Sequence, residues 1–239
     1  MKSIDIILSP ALIPHYPPNE ETVYIMADIL RASSTIVAAF ANGVKAIYPI
    51  ETLDEAKAKA REGYIVGAER NVKKCDFATL GNDPLEYTAG AVSGKEIYFT
   101  TTNGTKTINA CFGMKPDTTV VIGAFTNLAA VAEYCRDKNV LVAAAGWEGK
   151  VSLEDALYGA ALATELRASH TIGSDALRIV LAAYDPSRLH KVLKESDHFA
   201  RLVSAGHAQA LDYCLRQSIY DVVPLTTRLS SGKLAIHLP

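Results

Sequence analysis

Short apolar runs alternate with amphipathic stretches along most of the chain. Residues 4–8, 23–27, 46–50, 64–67, 96–100, 119–123 and 140–145 are brief and rich in aliphatic and aromatic side chains, so they read as strands. Several helices between them have legible starts. Thr52 with Glu55 forms a capping-box pattern, Pro84 follows Asp83 as a first helical residue behind a cap, and Asn127 opens the stretch LAAVAEYCRDK. Beyond Gly146 the rhythm changes. Residues 153–217 read as three or four successive helices, broken near Gly173, Asp185-Pro186 and Ser196-Asp197, and strands at 221–223 and 234–237 close the chain. This order predicts an α/β fold: a mostly parallel sheet flanked by helices, with a helix-rich C-terminal portion. One domain over residues 1–239 is expected, any subdivision falling near 146–152 between an α/β part and a helical C-terminal layer.

Composition narrows the function. The 239 residues are 49% hydrophobic, which supplies a core readily, and 24 basic against 26 acidic residues give a formal charge of −2. That leaves no basic stripe of the kind nucleic-acid binding needs. No apolar run approaches the ~20 residues of a membrane span. The opening MKSIDIILSP carries Asp5 and Pro10 where a signal peptide needs an unbroken apolar stretch, so a cytoplasmic location is expected. Cys75, Cys111, Cys135 and Cys214 are far apart with no C-x-x-C pair, which fits reduced thiols.

In open α/β sheets, ligands bind beyond the carboxyl ends of the strands, and polar residues gather at those positions here. Asp28 and Arg31 follow VYIMA, Glu69-Arg70-Asn71 follow YIVGA, TTNGT follows IYFT, and Trp147-Glu148-Gly149 follow VLVAAAG. Such a set suits an anionic small molecule with a divalent cation. Asn103-Gly104 admits two readings. Asn-Gly between strands is a hairpin signal. Yet Ile108, Cys111 and Phe112 recur at helical spacing, with Gly113 in a capping position. The segment then reads strand–turn–helix, and its N–H groups and hydroxyls form an anion site at a helix start.

Structural roles compete for several of these residues. Asp28 could cap a helix beginning near Ser34, Ser152 with Asp155 fits a capping box, and Arg31 and Arg70 could be surface charges. Glu154 has no capping role to explain it. The six histidines lack zinc-site spacing, whereas oxygen ligands beside a phosphate point to Mg2+. The dinucleotide G-x-G-x-x-G, the P-loop and the G-x-S-x-G elbow are absent, and no cysteine has an arginine six residues on.

Taken in order, DILRASSTI, GAERN, GNDPLEY, TTTNGT, GWEGKVSLEDALYGA and DVVP cover almost the whole chain and resemble the 2-phosphosulfolactate phosphatase family. The resemblance implies a Mg2+-dependent phosphatase of coenzyme M biosynthesis that converts 2-phospho-3-sulfolactate to 3-sulfolactate. It implies a site lined by Asp28, Arg31, Glu69, Arg70, Asn82, Glu86, Thr102, Asn103, Gly104, Thr105, Glu154 and Asp155. Asp28, Glu69, Glu154 and Asp155 would hold the metal, and Arg31 and Arg70 would divide phosphate and sulfonate between them. Asp28 fits either a metal ligand or a nucleophile. Two positions depart from the family pattern: Ala68 stands where glycine often precedes Glu-Arg, and Asn71 follows Arg70 in place of glycine. The rival readings are a phosphatase of another small anionic ester and a non-catalytic anion-binding protein. The expected partner is a small-molecule substrate, without nucleic acid or membrane; the sequence leaves room for a homo-oligomer.

Overall fold

Among the described residues (1–16, 21–114 and 118–239 of the computed structural model), eleven strands join in one sheet. In chain order they are β1 (Lys2–Ile7), β2 (Thr22–Ala27), β3 (Ala46–Pro49), β4 (Ile65–Arg70), β5 (Lys73–Lys74), β6 (Glu96–Thr100), β7 (Val120–Ile122), β8 (Asn139–Ala144), β9 (His170–Ile172), β10 (Leu225–Arg228) and β11 (Leu234–His237). Across the sheet they run β5-β4-β6-β3-β11-β10-β7-β2-β8-β1-β9. Parallel pairing holds from β7 to β9 and among β4, β6 and β3. The C-terminal hairpin of β10 and β11 enters antiparallel between these two blocks and joins them.

The helices are α1 (Ala32–Ala41), α2 (Leu53–Arg61), α3 (Ala89–Val92), α4 (Gly104–Met114), α5 (Leu128–Cys135), α6 (Leu153–Glu165), α7 (Asp175–Ala183), α8 (Leu189–Lys194), α9 (Asp197–Ser204) and α10 (Ala208–Cys214). Parallel strands are covered on both faces, so β2 and β8 are almost wholly apolar and buried along their length. The core runs continuously through Tyr24, Ile25, Val121, Val142, Phe99 and Tyr158. This is the α/β architecture expected from the alternation.

Local details correct the sequence reading. Residues 221–223 are not a strand. Pro224 has no N–H to donate, and the segment is held by its carbonyls: Pro224 O accepts from Ile122 N at 2.9 Å and Val222 O from Asn127 Nδ2 at 3.0 Å. The ladder begins only at Leu225. Gly113 lies inside α4 and caps nothing. The C-terminal portion holds five helices, because Gly206, at φ +88°, breaks α9 from α10. β9 sits among them, too short to show a period. Thr52 does cap α2, accepting from Glu55 N at 3.1 Å, and Asp83 caps the 3-10 turn Pro84–Glu86, accepting from Leu85 N at 3.0 Å.

Candidate active site

Three antiparallel pairings, β7–β10, β10–β11 and β11–β3, lie between the two parallel blocks, so β4 and β6 run opposite to β2 and β8; the residues that follow these four strands nonetheless enclose one cleft of about 240 Å3. Asp28 follows β2 and Glu69 lies near the end of β4. Thr101, Thr102 and Asn103 form the turn after β6, and Trp147 and Glu148 follow β8. α9 contributes His198 and Arg201. Asn71, Val72 and Asn82 complete the wall.

The turn TTNGT opens a helix and pairs no strands. Gly104 is the first residue of α4, and Thr105 Oγ1 bonds back to Thr101 O at 3.2 Å to hold the turn. The first N–H groups of α4 have no carbonyl one turn upstream to receive them, so they remain for an anion. A side chain at Gly104 would put its Cβ 3.0 Å from Ala32 Cβ and 3.1 Å from Asp28 Oδ2. Its φ is not positive. Close approach is therefore what requires glycine here.

Asp28 lies between the starts of α1 and α4. Its Oδ1 accepts from Ala32 N at 3.3 Å, and its own N–H donates to Ser33 Oγ at 2.9 Å. Burial pushes its carboxyl up to about 6, the charges of Glu69 and Glu154 add to this, and His198 and Ala32 N–H counter it. Glu69 Oε1 accepts from Val72 N at 2.6 Å, leaving its second oxygen for a ligand. That bond depends on an unusual turn: Asn71 and Val72 have φ of +53° and +70°. Asparagine tolerates the left-handed region, which explains how this chain manages without glycine at 71; for β-branched Val72 the same conformation is strained.

Glu154 is 1% exposed, and its Oε1 lies 2.6 Å from His198 Nδ1. Burial opposes its ionisation, but the hydrogen bond and charge of His198 outweigh that and hold its carboxyl below the usual range. Asp155 plays a different part. Its Oδ1 accepts from Ile29 N at 2.8 Å and its Oδ2 from Gly146 N at 3.0 Å, so it clamps the loops after β2 and β8 together. Burial, with the charges of Glu154 and Asp28, pushes its carboxyl well up. The expected capping box is not formed, because Ser152 caps α6 without a side-chain bond.

The two arginines read from the sequence stand outside the cleft. Arg31 is 2% exposed and paired with Asp83 Oδ2 at 3.1 Å, an oxygen that also meets His207 Nδ1 at 3.1 Å. Arg70 follows Glu69 in β4 and so points to the opposite face, where it reaches Glu69 O, Thr100 Oγ1 and Glu51 O. Glu86 is structural, its Oε2 accepting from Gly81 N at 2.7 Å. The structure thus brings together Asp28, Glu69, Asn82, Thr102 and Asn103 at the cleft, with Gly104 and Thr105 behind the turn. His198 and Arg201 were not among the residues inferred from sequence, and Trp147 was placed after a strand there without a role.

Of the nine buried side-chain oxygens without a hydrogen-bond partner among the described residues, three belong to the site: Thr101 Oγ1 and Asn82 Oδ1 in the cleft, and Glu154 Oε2 on the carboxylate that holds His198. Orphaned buried oxygens are rare in finished protein structure, and these three sit where a ligand would complete them. No three His, Cys, Asp or Glu side chains among the described residues form a ready metal cage. Mg2+ does not need one, since it takes one or two carboxylates, water and phosphate oxygens.

Known proteins match this chain over nearly its whole length. The family model for 2-phosphosulpholactate phosphatase matches residues 7–228. A protein of Thermotoga maritima named as a probable 2-phosphosulfolactate phosphatase is 34% identical over 223 residues, covering 92% of this chain and 94% of that protein. Proteins with the same name from Clostridium tetani and Carboxydothermus hydrogenoformans are each 32% identical, over 93% and 98% of this chain and 96% and 97% of their own lengths.

Proposed function

Since the chain belongs to the 2-phosphosulfolactate phosphatase family of phosphoric monoester hydrolases, we propose that it hydrolyses 2-phospho-3-sulfolactate to 3-sulfolactate and phosphate with Mg2+ as cofactor. The observation that carries this reading is the pairing of an acidic end, Asp28 and Glu69, with a helix start and a carboxylate-held histidine in one cleft.

The donor set fits Mg2+. Asp28 and Glu69 offer hard carboxylate oxygens, Thr101 Oγ1 and Asn82 Oδ1 are unpartnered in the same cleft, and burial, with a smaller part from the charges of Glu69 and Glu154, raises the Asp28 carboxyl in a way a bound cation would offset. When bound there, Mg2+ supplies Lewis-acid stabilisation of charge on the phosphoryl oxygens. Asp28 and Glu69 would hold it. Asp155, with both oxygens on backbone N–H groups, has none to spare.

The chain's own groups supply the rest. N–H groups at the start of α4 and the hydroxyls of Thr101 and Thr102 receive the phosphoryl oxygens. A carboxylate only accepts, so Glu154 fixes the proton of His198 on Nδ1 and leaves Nε2 to act on the substrate. In its protonated form, His198 gives the Nε2 proton to the ester oxygen as the P–O bond breaks. Water adds to phosphorus from the opposite side, and the proton it loses restores the histidine. Expression followed by assay of phosphate release from a panel of phosphate esters, with and without Mg2+, tests the reading; kcat/KM highest for esters of anionic 2-hydroxy acids is expected, with slower release from other esters.

A further inference from the structure

The cleft has one fixed cation. Among the described residues that line it, Arg201 is the sole lysine or arginine, because Arg31 is sealed against Asp83 and Arg70 faces away. Its guanidinium carbon lies 3.9 Å over the ring of Trp147. A guanidinium held over an aromatic face in this way keeps its N–H groups available for the fork geometry that receives two anionic oxygens at once. Glu148 shares the same wall, yet Arg201 makes no ion pair among the described residues.

Placement strengthens the point. Arg201 and His198 are three residues apart on α9 and face the cleft together, while Phe199 and Leu202, also three apart, are buried in the core. The helix is anchored by one pair and presents the other. Asp28 and Glu69 line the same cleft and would repel any anion other than one bridged to them by a metal. A phosphate ester with a second anionic group therefore has one orientation available: phosphate toward the carboxylates and the start of α4, the other anion toward Arg201, and the ester oxygen beside His198.

We infer that Arg201, placed over Trp147, is the specificity-determining residue that binds the anionic group on carbon 3 of the substrate, a sulfonate or a carboxylate in its place, which lactate and phospholactate lack. The inference rests on the phosphatase reading above for its substrate, but it can be tested without turnover. Trp147 is the single tryptophan of the chain, so its fluorescence reports on this stack alone.

The experiment titrates the Mg2+-loaded protein with 3-sulfolactate, malate and lactate, following Trp147 emission and heat of binding. Saturable binding of 3-sulfolactate, malate or both, with a change in emission, and none of lactate, is expected; the preferred ligand tells sulfonate from carboxylate. Arg201→Gln should weaken that binding about 10–100-fold, and Arg201→Lys should restore part of it. In turnover, Arg201→Gln should lower kcat/KM for 2-phospho-3-sulfolactate more than for phospholactate, so that the ratio of the two falls about 10–100-fold. Equal losses on both esters, or 3-sulfolactate and malate binding unaffected by Arg201→Gln, would overturn the assignment. Absence of turnover on every ester would refute the phosphatase reading, and the binding titration would still decide the role of Arg201.

Discussion

Glu154 Oε1 and His198 Nδ1 meet at 2.6 Å, joining the first turn of α6 to the first turn of α9. This contact turns the other ring nitrogen of His198 into the free one and supplies the proton donor that no strand end provides. A general acid matters most when the leaving oxygen is a poor one. His198→Asn should slow an alkyl phosphate such as phospholactate by about 10²–10³-fold and p-nitrophenyl phosphate by less than about tenfold. Glu154→Gln should show the same contrast in milder form. Equal loss on both esters, measured as kcat, would contradict the proton-donor role.

Gly104 faces Asp28 Oδ2 and Ala32 Cβ closely enough that one methyl group must displace something. Gly104→Ala should therefore leave the melting temperature nearly unchanged, since alanine suits a helix, and reduce kcat by about 10²-fold, the loss typical of one misplaced preorganised donor. Steady-state kinetics beside a thermal melt checks both halves.

Asp155 carries the bond between the β2 and β8 loops on two oxygens. Asp155→Ala leaves two buried N–H groups without acceptors, and urea unfolding should show a loss of about 2–5 kcal/mol. Asp155→Asn keeps one acceptor and should lose less. An undiminished midpoint in the alanine variant would remove the clamp from this account.

The carboxyl of Asp28 is raised in the fold from 3.8 to about 6, so the stability it contributes is present in full below about 4 and is lost as pH rises through about 6. Metal-free protein at pH 8 should accordingly be stabilised by Asp28→Asn, on the order of 2 kcal/mol, with the difference vanishing near pH 4. Added Mg2+ should raise the melting temperature of the parent and not of the variant. Acid quenching during turnover of phosphate-labelled substrate should leave no label on the protein; label on residue 28 would make Asp28 the nucleophile.

Much of the fold and half of the site were legible in the sequence for a physical reason. Buried parallel strands are short apolar runs, and ligand-binding residues follow such runs, so Asp28, Glu69 and the turn after β6 could be picked out from order; that the antiparallel hairpin of β10 and β11 reverses β4 and β6 relative to β2 and β8 could not. Which face a strand-end residue adopts could not. Glu69 and Arg70 are neighbours, and only the pairing of β4 with β6 decides that Glu69 enters the cleft. Arg31 looked like an anion ligand until its partner Asp83, fifty-two residues away, was in place. His198 and Arg201 had one signal, their shared helical spacing opposite Phe199 and Leu202; nothing local reveals that α9 lines the cleft.

The most direct measurement is phosphate release from 2-phospho-3-sulfolactate by purified protein, in excess chelator and again with Mg2+ restored. Steady stoichiometric release of phosphate and 3-sulfolactate with Mg2+, abolished by chelator, is expected. Turnover that is indifferent to chelator would contradict the metal role of Asp28 and Glu69, and binding of the ester without release of phosphate would contradict the account as a whole.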